Sequence, residues 1–319
     1  MRRAVTAILA AAALGACSAT GATTSAATTQ TTQATAQSTT TAESPTTFPV
    51  TIEAANGAVT IPKKPVAIVS LSPTATETLY AIGAGSQVLA VDDQSNYPED
   101  APITDLSGFT PNIEAIASYD PDLVVIMFDP GDLIDSLTAL GIPVLMQPAA
   151  ATLQDAYDQI GQLGAATGNA AEAETLLGSI QTDIAQTIAD SSSDDTLAYY
   201  FELDPSYYTV TSSTFIGSLL ASLGLENIAD AADSDGYGYP QLSSEYIIDA
   251  NPDLVILADT ICCGQDEDAV ASRPGWDSLD AITKGNIVPL NDNVASRWGP
   301  RITDLLDTVA AAVREARGR

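Results

Sequence analysis

The sequence predicts an α/β fold of two similar lobes, each a parallel sheet covered by helices on both faces, joined by one long helix. Three observations carry this. Short apolar runs alternate with amphipathic helical stretches, and apolar runs without strict period-two alternation belong to parallel strands buried on both faces. The stretch from Leu153 to Asp190 has no strand signal. Two segments of the first half recur, in the same order, in the second half.

In chain order, Val66-Ala67-Ile68-Val69-Ser70-Leu71 reads as a buried strand. Thr74 to Ile82 follows as a helix, with Ser72 or Thr74 to cap it and Gly83 to end it. Val88 to Val91 is a second strand, and Ile113 to Ser118 a short helix. Leu123 to Met127 is a third strand behind Asp120-Pro121-Asp122. Leu133 to Leu140 is helical, stops at Gly141 and leads into Ile142-Pro143-Val144-Leu145-Met146. In the strandless stretch, Leu153, Ala156, Ile160, Leu163, Leu176, Leu177, Ile180, Ile184 and Ile188 recur at helical spacing. Gly164, Gly168 and Asn169 mark a break, giving one interrupted helix or two in series. Ser191 to Asp195 is a loop, and a second strand–helix series runs from Leu197 to the end.

The second series copies the first. Glu114 to Ile126 aligns without gaps to Glu245 to Leu257, with Pro121 and Pro252 each seven residues after the glutamate. Leu79-Tyr80-Ala81-Ile82-Gly83 likewise parallels Leu220-Ala221-Ser222-Leu223-Gly224. The expected plan is an export signal at 1–16, a lipidated cysteine and Ala/Thr/Ser/Gln tether at 17–48, an N-terminal α/β lobe at 49–150, a linking helix at 151–192 and a C-terminal α/β lobe at 193–319. Both lobes are Rossmann-like. Ligands of open parallel sheets lie beyond the carboxyl ends of the strands, so the two sets of post-strand loops should enclose a cleft.

Composition narrows the chemistry. The formal net charge is −30, which argues against nucleic acid or a bare anionic membrane as partner. The plain explanation is solubility in salty surroundings. There is no histidine, so Ser-His-Asp and Cys-His nucleophile systems are excluded, and the usual imidazole metal ligands are missing. No resident cofactor or metal site is called for. Of the three cysteines, Cys262 and Cys263 are adjacent. They are either two free thiols or, in an oxidising compartment, a vicinal disulfide that stiffens its loop.

The N-terminus reads as an export leader. Arg2 and Arg3 precede an apolar run, Ala4 to Leu14, that is too short to span a bilayer. Leu14-Gly15-Ala16-Cys17 resembles the lipobox of bacterial lipoproteins, which implies acylation of Cys17. The expected location is the extracytoplasmic face of the cell membrane, held by the lipid anchor only. Ser18 to Thr47 has the composition of a flexible tether, rich in hydroxyls that would accept glycans.

Taken together, Ile68 to Glu77, Tyr97-Pro98, Glu114 to Ile126 and Glu245 to Leu257 resemble the substrate-binding proteins of ABC importers for cobalamin, haem and ferric siderophores. The resemblance runs from about residue 65 to 310. It implies two rigid lobes that close only slightly, an ABC permease dimer as partner, and one glutamate per lobe that meets arginines of the permease. By position these are Glu114 and Glu245. The repeat makes them equivalent, as a two-fold permease would require. The alternative is that each merely starts a surface helix, where its charge suits the dipole.

Post-strand loops supply the candidate ligand contacts: Tyr97, Phe109 and Asp129 in the first lobe, and Glu202, Tyr208, Tyr237, Tyr239, Arg297 and Trp298 in the second. Flat side chains suit a macrocycle or aromatic chelate, and Arg297 suits a carboxylate or anionic complex. Trp276 reads as structural. Without histidine, the expected order of cargo is a ferric siderophore, which brings all its iron ligands, then haem held through a tyrosine, then cobalamin. Two other classes stand beside import: an enzyme with Glu202 and Asp204 as acid and base, and a lipoprotein that binds its ligand for sensing or storage.

Overall fold

The computed structural model describes residues 47–318. The leader, Cys17 and nearly all of the tether lie outside the described residues.

The first element is a hairpin, β1 (Val50–Ala54) and β2 (Gly57–Ile61), paired antiparallel. The N-terminal lobe then runs β3 (Ile68–Leu71), α1 (Pro73–Ala81), β4 (Val88–Val91), α2 (Ile113–Ala117), β5 (Leu123–Ile126), α3 (Leu133–Ala139) and β6 (Val144–Met146). Its strands are all parallel in the order β4-β3-β5-β6. Two helices follow, α4 (Leu153–Thr167) and α5 (Ala170–Ser191). The C-terminal lobe comprises β7 (Leu197–Glu202), α6 (Phe215–Ser222), β8 (Leu225–Asn227), α7 (Ser244–Ala250), β9 (Leu254–Leu257), α8 (Glu267–Ala271), α9 (Asp280–Thr283), β10 (Ile287–Pro289), α10 (Asp292–Ala295) and α11 (Ile302–Arg317). Its parallel order is β10-β9-β7-β8.

Counted by position within each lobe, both sheets read second, first, third, fourth strand. The internal repeat is therefore a repeat of topology. The shared Pro-Asp-Leu-Val motif has a job in both copies. The Asp122 carboxylate accepts the Val66 amide at 3.0 Å, and the Asp253 carboxylate accepts the Ala198 amide at 2.9 Å. Each aspartate thus latches the start of the third strand to the start of the first. The paired Leu79–Gly83 and Leu220–Gly224 segments end α1 and α6 in the same way. Gly83 and Gly224 sit at φ 76° and 75°, the left-handed turn that closes a helix and favours glycine.

The linking stretch is two helices. Thr152 and Asp155 form a reciprocal capping box at the start of α4. Gly168, at φ 72°, ends it, and Asn169 turns the chain, with its side-chain amide donating to the Ile82 carbonyl at 2.8 Å. The hairpin lies beyond what the sequence reading resolved. It packs on α4, where Gln162 donates to the Glu53 carbonyl at 2.8 Å. Asn56 also bonds the edge strand β6 at Val144 and Met146.

Burial explains why the strands lack strict alternation. Ile68, Leu123 and Val125 enter one continuous apolar cluster that also takes in α4, α5, α11 and, from the other lobe, Tyr199, Phe201 and Ile256. The opposite sheet faces are also buried, in separate clusters around Val69, Val124 and Ile126 in one lobe and Tyr200, Val255 and Trp276 in the other. Two sealed faces per sheet leave the carboxyl ends of the strands as the open side.

Candidate functional site

Two cavities lie beyond those strand ends and share a wall. The larger, about 370 Å³, is bounded by Ala149 and Ala150 after β6 and by Phe201, Leu203, Phe215, Ile216, Tyr239 and Cys262 from the C-terminal lobe. The smaller, about 240 Å³, is bounded by Leu71, Phe109, Met127 and Phe128 of the N-terminal lobe. Ser296, Arg297 and Trp298, between α10 and α11, line both. The surfaces are mostly apolar, with exposed rings at the rim. Phe109 is 61% exposed and packs against Phe128 at 5.6 Å, and Tyr239 is 55% exposed. Trp298 is tied to α4 by its indole N–H, which donates to Gln159 at 2.8 Å.

Arg297 is the only cationic side chain lining either cavity among the described residues, and its charge is already matched. Its guanidinium is buried and donates to Glu77 at 2.6 Å, to the Gln94 carbonyl and Asn96 at 2.9 Å, and to Asn293 at 2.8 Å. Arg301 donates to the same Glu77 carboxylate, its Nε at 2.9 Å, and lies 4.1 Å from the centre of the Tyr97 ring. Glu77 belongs to α1 of the N-terminal lobe. The cluster therefore clasps the two lobes together, and the Arg297 charge expected to meet an anionic ligand is already paired with Glu77.

Both cavities carry an acidic residue. Asp292 accepts from the backbone amides of Ile261 and Cys262 and from the Thr260 hydroxyl. Burial alone would raise its pKa, but the two amides outweigh that and hold it below the usual range. Asp92, on the smaller cavity, has its pKa raised by burial despite a 2.5 Å hydrogen bond from Ser95.

Of the remaining sequence candidates, Trp298, Tyr239 and Phe109 line the cavities. Tyr97 borders a separate hollow with Tyr80, Pro98 and Arg301. Asp129 is exposed and accepts the Ile134 amide at the start of α3. Tyr208 and Tyr237 are exposed and line neither cavity. Glu202 is corrected outright. It is fully buried and pairs with both guanidinium nitrogens of Arg273 at 2.6 Å. Side chains alternate along a strand, so Glu202 shares the Tyr200 face of β7, while Phe201 and Leu203 face the cavity. That alternation was the available signal for Phe201 and Leu203. Cys262 was legible as a bridge partner but not as a cavity wall.

Glu114 and Glu245 sit at matching places, exposed in the first turns of α2 and α7. Asn112 and Ser243 cap these helices through the same side-chain bond to the third residue on. Cys262 and Cys263 are joined by a disulfide, with their Cα atoms 3.8 Å apart.

The family model for periplasmic binding proteins matches residues 68–294, from β3 in the first lobe to α10 in the second. The chain belongs to that family. This binding protein is 32% identical over 280 residues to YvrC of Bacillus subtilis, an uncharacterised ABC transporter substrate-binding lipoprotein, covering 83% of this chain and 86% of that one. It is 31% identical over 283 residues to a cobalamin-binding protein of Halobacterium salinarum, covering 83% and 74%. Among solved structures, the periplasmic vitamin B12 binding protein BtuF of Vibrio cholerae superposes with a TM-score of 0.67 at 25% identity, covering 80% of this chain and 99% of that one. The binding protein is thus an ABC transporter substrate-binding protein of the siderophore, haem and B12 group, and its two-lobed α/β fold is that of the family.

Proposed function

We propose that this binding protein captures a neutral, amide-rimmed metal macrocycle of the cobalamin class and delivers it to an ABC permease, tethered to the membrane through Cys17. The carrying observation is the charge of the cleft. Among the described residues the one cation that lines it is matched by Glu77, and Asp292 and Asp92 remain on the walls. An anionic ferric catecholate, or the carboxylates of haem, would enter without a free counter-charge, and burying an unpaired charge costs several kcal/mol, roughly. A corrin carries amides around its rim and no carboxylate. It would gain chiefly from area buried on Trp298, Phe201 and Phe109. The names of the Halobacterium and Vibrio relatives agree with this reading. On charge it ranks the corrin above an anionic ferric catecholate and above haem.

Trp298 reports on the cleft, because the other tryptophan, Trp276, is fully buried away from it. The reading predicts quenching of Trp298 fluorescence, with saturation in the micromolar range or below, by cyanocobalamin but not by a ferric catecholate or haemin. The W298F variant should lose the signal. Saturable quenching by the ferric catecholate with indifference to cyanocobalamin would refute it.

A further inference from the structure

The loop after β9 carries the vicinal bridge and is pinned on both sides of it. Upstream, Asp292 accepts the amides of Ile261 at 3.0 Å and Cys262 at 2.6 Å. Thr260 also donates to the Leu290 carbonyl at 2.6 Å. Downstream, the Gln265 amide donates to the Asp259 carbonyl at 3.3 Å. The Gln265 side chain accepts from Arg273 at 2.7 Å, and Arg273 is itself fixed on buried Glu202. Between these anchors the Cys262–Cys263 bond closes the ring, and the Gln265 side chain donates to the Cys263 carbonyl at 3.3 Å. Cys262 and its anchor Asp292 both line the larger cavity, alongside Tyr239 and Ala295.

A bridge between adjacent residues closes an eight-membered ring and freezes the intervening peptide. Its sulfurs form a rigid, polarizable apolar surface. Ligand surface packed on a rigid wall avoids the entropy of ordering a mobile one. We infer that the closed Cys262–Cys263 ring is a ligand-contacting wall of the cleft, and that its closure sets the affinity for the macrocycle. This rests on the cleft being the ligand site proposed above. The thiols formed on opening would be two separately rotating groups, and the peptide between them would be free to move.

The experiment is calorimetric titration of cyanocobalamin into the mature protein in three forms: oxidised, reduced, and C262S/C263S. Reduction by a water-soluble phosphine transfers two electrons to the disulfide. The phosphine becomes its oxide with oxygen from water, and the two water protons go to the thiols. The expected result is that the reduced and variant forms bind roughly tenfold more weakly or worse, as for lost buried contacts. Their melting temperatures should stay near that of the oxidised form, and reoxidation should restore tight binding to the wild type only. Affinities of the three forms within about twofold of one another would overturn the inference. Failure of the oxidised form to bind cyanocobalamin is a different outcome, which refutes the corrin reading. The same three-way comparison then runs with ferrioxamine or haemin, whichever binds. If none binds, both proposals fall.

Discussion

Glu202 and Asp259 sit at the carboxyl ends of neighbouring strands, where β7 and β9 pair. Both are fully buried. Glu202 has Arg273, whereas neither oxygen of Asp259 finds a donor among the described residues. Burial, reinforced by the charge of Glu202, pushes the Asp259 pKa up to about 7. The proton belongs to the carboxyl pair. An unfolded aspartate loses its proton near pH 4, as a free side chain does. Between that pH and about 7 the folded chain binds the extra proton, so stability falls as pH rises through this window and the full penalty is present above it. Asp259→Asn replaces the shared proton with an amide donor. It should match wild type at pH 4 and melt higher at pH 8. An unsatisfied buried polar group costs about 1–3 kcal/mol and each kcal/mol moves Tm by about 2–4 °C in a large domain, so the gain should be roughly 2–12 °C. An equal or lower Tm at pH 8, by calorimetry, would contradict the shared proton. The sequence displayed a glutamate at a strand end and invited a cleft role. Only the pairing of β7 with β9, and Arg273 arriving from 71 residues along the chain, show that its charge is spent inside the lobe.

At the scale of elements, the strands and helices of both lobes were largely legible, because apolar runs, caps and stop glycines agree locally. Ser72 does cap α1, accepting the Ala75 amide. The β1–β2 hairpin was not legible, since only Ile52, Val59 and Ile61 of its ten residues are buried and its partner α4 lies about a hundred residues away. The cleft was half legible. Post-strand position reached Tyr239, Phe109, Arg297 and Trp298, which line the cavities, but favouring large flat and charged side chains passed over Leu203, Phe215 and Ile216. Two helix glycines test the packing. A methyl group on Gly217 of α6 would meet the Thr211 carbonyl oxygen at 1.9 Å, whereas one on Gly178 of α5 meets nothing within 4 Å. Alanine is the better helix former by about 1 kcal/mol, so Gly178→Ala should stabilise by up to that amount. Gly217→Ala should destabilise by about 1–3 kcal/mol from overpacking. Urea unfolding of both variants measures this, and stabilisation by Gly217→Ala would show that the turn at Thr211 yields.

For the whole molecule, what matters is how the two lobes are joined. A single apolar cluster runs through both, and the Glu77–Arg297–Arg301 group and the Trp298–Gln159 bond tie across it. Glu77→Ala would leave two guanidinium groups facing each other with Arg297 still buried. Removing one partner of a buried pair costs about 3–5 kcal/mol, which chemical denaturation should register. A loss below about 1 kcal/mol, the range of exposed pairs, would mean the clasp is solvated. Docking through Glu114 and Glu245, expected from the family resemblance, would lie outside the fold, since both are exposed in first helical turns. E114R/E245R should keep the melting temperature and ligand affinity of the wild type and abolish uptake in cells, and unimpaired uptake would remove the docking assignment.

A cleft lined, among the described residues, by no unmatched cation should carry a neutral macrocycle of the cobalamin class. The most direct measurement is the absorption spectrum and metal content of the protein purified, with its cargo, from its own host. Cobalt, with corrin bands in the visible, is the expected result. Iron with a catecholate charge-transfer band, or with the Soret band of haem, would contradict it.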